Sequence, residues 1–157
     1  MKEALVVGAT IAQAETVIRW LKFELTEDGG FYHNRSIIRR AARSDEMRCL
    51  CLGRIILAFA VFTKGLRYSA IDILEVRPRY RGRGYGGALA VHIIGLLLAN
   101  GADEIHVECM PRESESFWRR LGFIDNDASL SSWGNPKLIL RSWPNNSFRP
   151  NPLPGSA

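Results

Sequence analysis

The stretch from Ile71 to Gly87 limits the possible folds more than any other part of the chain. It reads Ile71-Asp72-Ile73-Leu74-Glu75-Val76-Arg77-Pro78-Arg79-Tyr80-Arg81-Gly82-Arg83-Gly84-Tyr85-Gly86-Gly87. An apolar run stops at a proline, passes a cluster of arginines and enters a glycine-dense turn, and a proline-free apolar segment, 88–99, follows. That order predicts a strand, a basic glycine loop and a helix. A loop with so little side chain lets backbone N–H groups approach a ligand closely. Where it opens a helix, those donors lack intrahelical partners and sit at the positive end of the helix dipole. The expected ligand is a phosphate group, and Arg77, Arg79, Arg81 and Arg83 add full positive charge around it.

The remaining elements follow from periodicity and turn chemistry. Residues 4–8 suggest a short strand. Thr10 can cap a helix over about 11–25, in which Ile11, Val17, Ile18 and Leu21 recur at helical spacing. Asp28-Gly29-Gly30 marks a loop over 26–34, and 35–43 suggests a second, very basic helix. Strands are predicted over 47–52, 54–63 and 68–77, with Gly53 in a tight hairpin. After the helix at 88–99, Gly101 suits a left-handed cap. A strand over 104–110, a short helix over 114–121 and closing strands at 123–124 and 138–143 complete the order. A helix between the strands at 68–77 and 104–110 predicts that those two run parallel in a mixed sheet. The expected fold is therefore a single α+β domain over 1–143 with a mixed, mostly antiparallel sheet. The Pro- and Asn-rich residues 144–157 are expected to form a disordered tail.

The 157 residues carry a net charge of +5, which favours an anionic ligand or partner. Cys49 and Cys51 form a Cys-x-Cys pair rather than the two- to four-residue gap usual in structural zinc sites, and no second pair completes four ligands. With Cys109 they are read as free thiols of a reducing, cytoplasmic compartment, and no metal is expected. No stretch approaches the ~18–20 apolar residues of a membrane span.

Two motifs in register resemble the GNAT superfamily of acetyl-CoA-dependent N-acetyltransferases. Arg81-Gly82-Arg83-Gly84-Tyr85-Gly86, preceded by Val76-x-Pro78-x-Tyr80, matches the family's Gln/Arg-x-x-Gly-x-Gly/Ala pattern between its fourth strand and third helix. Phe117-Trp118-Arg119-Arg120-Leu121-Gly122-Phe123 matches its aromatic pair followed by Gly-Phe. The resemblance covers 54–125, and the element order extends it to both ends. It implies a fourth and fifth strand that splay apart, with acetyl-CoA as co-substrate in the gap. The pyrophosphate would lie on Arg81, Gly82, Arg83, Gly84, Tyr85, Gly86 and Gly87, and the pantetheine arm along the backbone of Leu74 and Val76 like an added strand.

The implied chemistry is transfer of the acetyl group to an amine, which needs a base to take the amine's proton. Family members often carry that base near the positions of Ala70 and Asp72. By period-two alternation Ala70, Asp72 and Leu74 share one face, so Asp72 is the first candidate. Glu108 is second, and Glu75, on the face opposite Asp72, is third. His106, alternating with Glu108, is weaker. Many family members have a tyrosine where Trp118 stands, and it protonates the departing thiolate. An indole cannot do that, so Trp118 is expected as a wall against the pantetheine arm, and the acid is left unassigned.

Two alternatives remain open at this level. A binding module with this fold could hold acyl-CoA without turnover. Gly82, Gly84 and Gly87 also satisfy the dinucleotide Gly-x-Gly-x-x-Gly pattern, with Glu104 beyond. The acceptor is expected to meet 25–35 and 125–137, which hold Glu27, Asp28, Tyr32, His33, Asp125 and Asp127. Those acids suit a cationic amine, whereas the stripe of Arg35, Arg39, Arg40 and Arg43 suits an RNA-borne amine. A homodimer is compatible with the sequence, and no membrane partner is expected.

Overall fold

The computed structural model describes residues 2–24, 30–65, 68–126 and 134–141. The whole of the expected tail, 144–157, and Glu27, Asp28 and Asp127 of the expected acceptor segments lie outside the described residues. The elements are β1 (Ala4–Gly8), α1 (Ile11–Phe23), α2 (Arg35–Arg43), β2 (Met47–Leu52), β3 (Ile55–Thr63), β4 (Ser69–Val76), α3 (Tyr85–Ala99), β5 (Glu104–Glu108), α4 (Glu115–Arg120), β6 (Ile124–Asp125) and β7 (Lys137–Arg141), with 3-10 turns at Gly30–Asn34, Pro78–Tyr80 and Arg112–Ser114. The helix expected over 88–99 starts earlier, at Tyr85, because Gly84 adopts φ 81° and forms its N-cap. The strand expected to reach 110 stops at Glu108.

Helix α1 begins where Thr10 and Gln13 cap each other reciprocally. The Thr10 hydroxyl accepts from the Gln13 backbone N–H at 3.1 Å, and Oε1 of the Gln13 side chain accepts from the Thr10 backbone N–H at 2.9 Å. It ends at Phe23, with Glu24 as the C-cap.

Among the described residues, seven strands form one sheet in the order β1-β2-β3-β4-β5-β7-β6, and only β4 and β5 run parallel. This is the single mixed, mostly antiparallel α+β domain expected from the sequence. A dinucleotide fold needs successive parallel neighbours, so the Gly82/Gly84/Gly87 alternative fails on topology. Each sheet face carries its own core. Ile71, Ile105 and Val107 pack with Leu89, Ile93 and Leu97 of α3. Phe59, Val61 and Ile73 pack with Val17 and Leu21 of α1 and Ile38 of α2. No helix among the described residues is long and apolar enough to cross a membrane.

Strict alternation along β4 does not hold. Phe62 pairs with Ile71 and Val61 with Ile73, so Asp72 is an extra residue without a β3 partner. This β-bulge resets the side-chain phase. Leu74 and Val76 join Ile71 on the α3 face, whereas Ile73 lies on the α1–α2 face. Glu75, alternating from Ile73, faces α1, where it lines a cavity with Leu21 and Glu24. Leu74 therefore does not share the face of Asp72, and Glu75 is not on the side opposite it.

Gly86 shows how closely α3 approaches β4. A Cβ there would stand 3.2 Å from Val76 Cγ2 and 3.7 Å from Leu74 Cδ2, whereas a Cβ on Gly87 would meet nothing within 4 Å. Thermal melts should show Gly86→Ala destabilised by about 1–3 kcal/mol through overpacking and Gly87→Ala unchanged or slightly stabilised by its helix propensity.

Candidate active site

The parallel ladder between β4 and β5 has three registered pairs, Ser69 with Ile105, Ala70 with His106 and Ile71 with Val107, and then stops. From Ile73 to Val76 the strand has ladder partners on β3 only, and Asp72 has none on either side. The edge of β4 facing β5 is therefore open backbone at the sheet's centre. The gap beside it is lined by Asp72, Leu74, Glu108, Ser114, Phe117 and Trp118, with Phe31 across it. An extended chain of amides laid along this edge would pair with it as a strand pairs.

The open edge runs directly into the glycine loop. Gly82 and Gly84 adopt φ 74° and 81°, a left-handed conformation open to glycine without strain. Gly84 is the N-cap of α3 and supplies no capping side chain. The first N–H groups of a 15-residue helix are thus left for an external acceptor. The four arginines do not all gather there. Arg77 stacks over the Trp20 ring at 5.0 Å. Arg81 Nε donates to the Val76 carbonyl at 2.9 Å, and its Nη2 meets Glu75 Oε1 at 3.1 Å. Arg79 and Arg83 flank Tyr80 and make no ion pair among the described residues. They are the cations left for a phosphate.

The gap also opens on a cavity of about 390 Å³ lined by Tyr68, Ala70, Asp72, His106, Glu108, Asn126 and Lys137. Asp72 and Glu108 line both spaces. Burial raises the Asp72 carboxyl above its ordinary range. The Thr63 hydroxyl, donating at 2.8 Å, opposes that rise; Glu46 reinforces it and Arg40 opposes it. Glu108 accepts from the Asn135 amide at 3.3 Å. His106 has both ring nitrogens engaged, with Glu104 at 3.3 Å and Asn126 at 3.4 Å, and its ring stacks on Tyr68. It is a wall of the cavity rather than a free base. Trp118 is only 6% exposed, and its ring meets Phe117 and Phe123 edge-on. It reaches the gap as part of the core.

A profile of the acetyltransferase (GNAT) family matches residues 14–123. This chain belongs to that family. Ard1 from Thermoplasma volcanium superposes with a TM-score of 0.70 at 18% identity, over 90% of this chain and 99% of Ard1. The PaiA N-acetyltransferase of Thermoplasma acidophilum, solved in complex with coenzyme A, gives 0.71 at 12% identity over 89% of this chain and 99% of PaiA. Rv2747 from Mycobacterium tuberculosis, solved with CoA and NLQ, gives 0.69 at 13% identity over 88% and 99%. At these identities the likeness establishes the GNAT fold. No curated protein matches the chain by sequence.

Within this GNAT domain one feature was not legible in the sequence. Glu24, at the end of α1, and Glu75 bring their carboxyl groups within hydrogen-bond reach. Glu24 Oε1 and Glu75 Oε2 are both out of solvent contact, and neither meets an N–H or O–H donor. One proton shared between them satisfies both. Burial, then Glu24, push Glu75 up to about 8, against the pull of Arg81. They line a cavity of about 340 Å³ with Gly30, Phe31, Pro78 and Arg81. Phe31 also borders the gap and so stands between the two spaces. Glu24 carries no motif; only the packing of α1 on β4 reveals it. Of the expected acceptor groups, Asp125 is held by Arg119 at 2.6 Å, and Tyr32 lies under the Arg35 guanidinium. Among the described residues no cluster of His, Cys, Asp and Glu could hold a metal ion.

The pair makes stability depend on pH. The folded value of Glu75 lies above its ordinary 4.5, so its contribution is fully present below pH 4.5 and is lost as pH rises to about 8. Glu75→Gln replaces the shared proton with an amide N–H toward Glu24 and keeps an acceptor for Arg81. Above pH 8 the variant should be more stable than the parent by roughly 1–3 kcal/mol. Below pH 4.5 the two should melt together.

Proposed function

We propose that this chain is an N-acetyltransferase that moves an acetyl group from acetyl-CoA directly to an amine. The observation that carries the reading is the open β4 edge running into the uncapped N-terminus of α3. Amides of the pantetheine arm pair with the backbone of Leu74 and Val76. The pyrophosphate rests on N–H groups of 82–87, with Arg79 and Arg83 beside it. The backbone N–H near Val76 polarises the thioester carbonyl, an interaction typically worth ~3 kcal/mol of barrier. Asp72 takes the proton of the amine; burial raises its carboxyl above the ordinary range, which makes it a stronger base. Glu108, which borders the same gap, is the second candidate. The acceptor enters through the cavity of about 390 Å³. An amine carried on RNA draws support from the exposed Arg35, Arg40 and Arg43 of α2.

Acetyl-CoA should raise the melting temperature, and a panel of small amines, peptides and aminoacyl-RNA should show acceptor-dependent thiol release. Binding with no release from any acceptor would favour a non-catalytic acyl-CoA-binding module instead. Gly87→Asp sets a carboxylate on the first turn of α3 in open space. It should leave the fold intact, since an acid there favours the helix dipole, and should weaken coenzyme A binding at least tenfold in calorimetry.

Asp72→Asn should keep acetyl-CoA affinity and lower kcat by about 100-fold or more at neutral pH. The loss should shrink as pH rises, because free amine then forms without a base. A pH-rate profile measures this, and an equal loss at every pH would assign Asp72 to positioning.

A further inference from the structure

The cavity of about 390 Å³ beside the gap is lined by charges of both signs. It lies on the sheet face away from α3. Ile105 and Val107 of β5, with Leu138 and Leu140 of β7, belong to the core that holds α3. By alternation Glu104, His106 and Glu108 face the other way, as do Lys137, Ile139 and Arg141. Register sets Glu108 beside Lys137, and His106 between Ala70 and Ile139. On this face Glu104 is taken up by Arg141 at 3.6 Å and by His106 at 3.3 Å. Asp72, Glu108 and Lys137 form no ion pair among the described residues. Asp72 accepts from the Thr63 hydroxyl and Glu108 from the Asn135 amide, both neutral donors. Arg40 of α2 acts on Asp72 through its charge, without a hydrogen bond. The cavity thus presents two carboxylates and one ammonium, none of them ion-paired within the described structure.

We propose that the acceptor is a free α-amino acid, its ammonium held by Asp72 and Glu108 and its carboxylate by Lys137. This rests on the reading of the adjoining gap as the seat of an acetyl thioester. Asp72 and Glu108 line both spaces, so an ammonium held by them stands at the border with the thioester. Lys137 lines the cavity and not the gap, so its charge is on the side away from the thioester. The volume is at the low end of the ~300–1,000 Å³ usual for small-molecule sites. A polyamine would satisfy the two acids but bring a further ammonium toward Lys137. An aminoacyl group on RNA has its carboxylate esterified and offers Lys137 no anion. An amino acid meets all three charges. In the step, Asp72 takes one ammonium proton and the freed nitrogen bonds to the carbonyl carbon. The carbon–sulfur bond breaks with its electron pair on sulfur, and the second nitrogen proton reaches that thiolate through solvent. The product amide is uncharged at nitrogen, so the attraction of the two carboxylates ends with the reaction.

The test measures thiol release from acetyl-CoA with the twenty standard amino acids, each beside its methyl ester, and with 1,4-diaminobutane and aminoacyl-RNA. At least one amino acid should exceed its own ester in kcat/KM by roughly tenfold or more, the usual weight of a hydrogen bond between charged groups. Lys137→Ala should raise KM for that amino acid toward the value of its ester. Lys137→Glu should reverse the preference and favour the diamine. Lys137 is exposed at the first position of β7, so both variants should fold, which thermal melts check. An ester as good as its acid overturns the proposal, and so does faster turnover of the diamine or of aminoacyl-RNA by wild type. Equal losses for acid and ester in Lys137→Ala overturn it too, since Lys137 would then serve Glu108 and not a ligand carboxylate. If wild type releases no thiol with any amine, the transferase reading fails by itself. Calorimetry of the amino acids on the coenzyme A complex then decides the site. Binding that needs both the free carboxylate and Lys137 upholds it, and no such binding overturns it.

Discussion

The site depends on β4 parting from β5 after only three registered pairs. Up to Ile71 the two strands share a ladder and one core with α3. Beyond it β4 stays with β3 alone, and its other edge is left without a partner inside the sheet. Unpaired strand edges ordinarily lie at a sheet's margin, where they invite association. Here one lies at the centre, flanked by the floor of α3 and the aromatic pair of α4. The extra residue at Asp72 sits where the ladder ends, and bulges bend a strand and increase its local twist. The same residue that disturbs the pairing is thereby presented to the gap.

Electrostatics tie this edge to its surroundings. Arg81 bonds the last carbonyl of β4 and the Glu75 carboxylate together. Glu75 in turn stands within hydrogen-bond reach of Glu24 of α1. The cofactor loop, the end of the open strand and the end of the first helix are therefore held by one small network. With one proton shared, the two glutamates and Arg81 are close to electroneutral. That is why a partly buried pair of acids is tolerable here. The arrangement also explains why the loop is less cationic than its sequence suggests: two of its four arginines serve the scaffold.

The sequence made much of the fold legible, and for local reasons. Thr10 and Gln13 cap the helix that follows them. Gly53, Gly84 and Gly101 take positive φ where turns and helix ends require it. The spacing of apolar residues placed each helix and strand to within a few residues, and the helix between β4 and β5 implied their parallel pairing. The glycine loop and the Phe117–Phe123 segment pointed to the family that the profile match then established. Alternation along β4 failed at one place, because a bulge depends on how β3 and β4 register, and neither strand shows it alone.

What the sequence by itself determined is the order of elements, the family, and the position of a loop suited to phosphate, since these follow from short-range propensity, chirality and turn chemistry. Only the tertiary structure decided which groups meet. Asp72 and Glu108 border one gap from two strands that have already parted. Glu24 faces Glu75 because α1 packs on the sheet. Each is a contact between residues far apart in the chain. Whether a carboxyl or hydroxyl is solvated, paired or orphaned is set by burial and neighbours that no local pattern encodes.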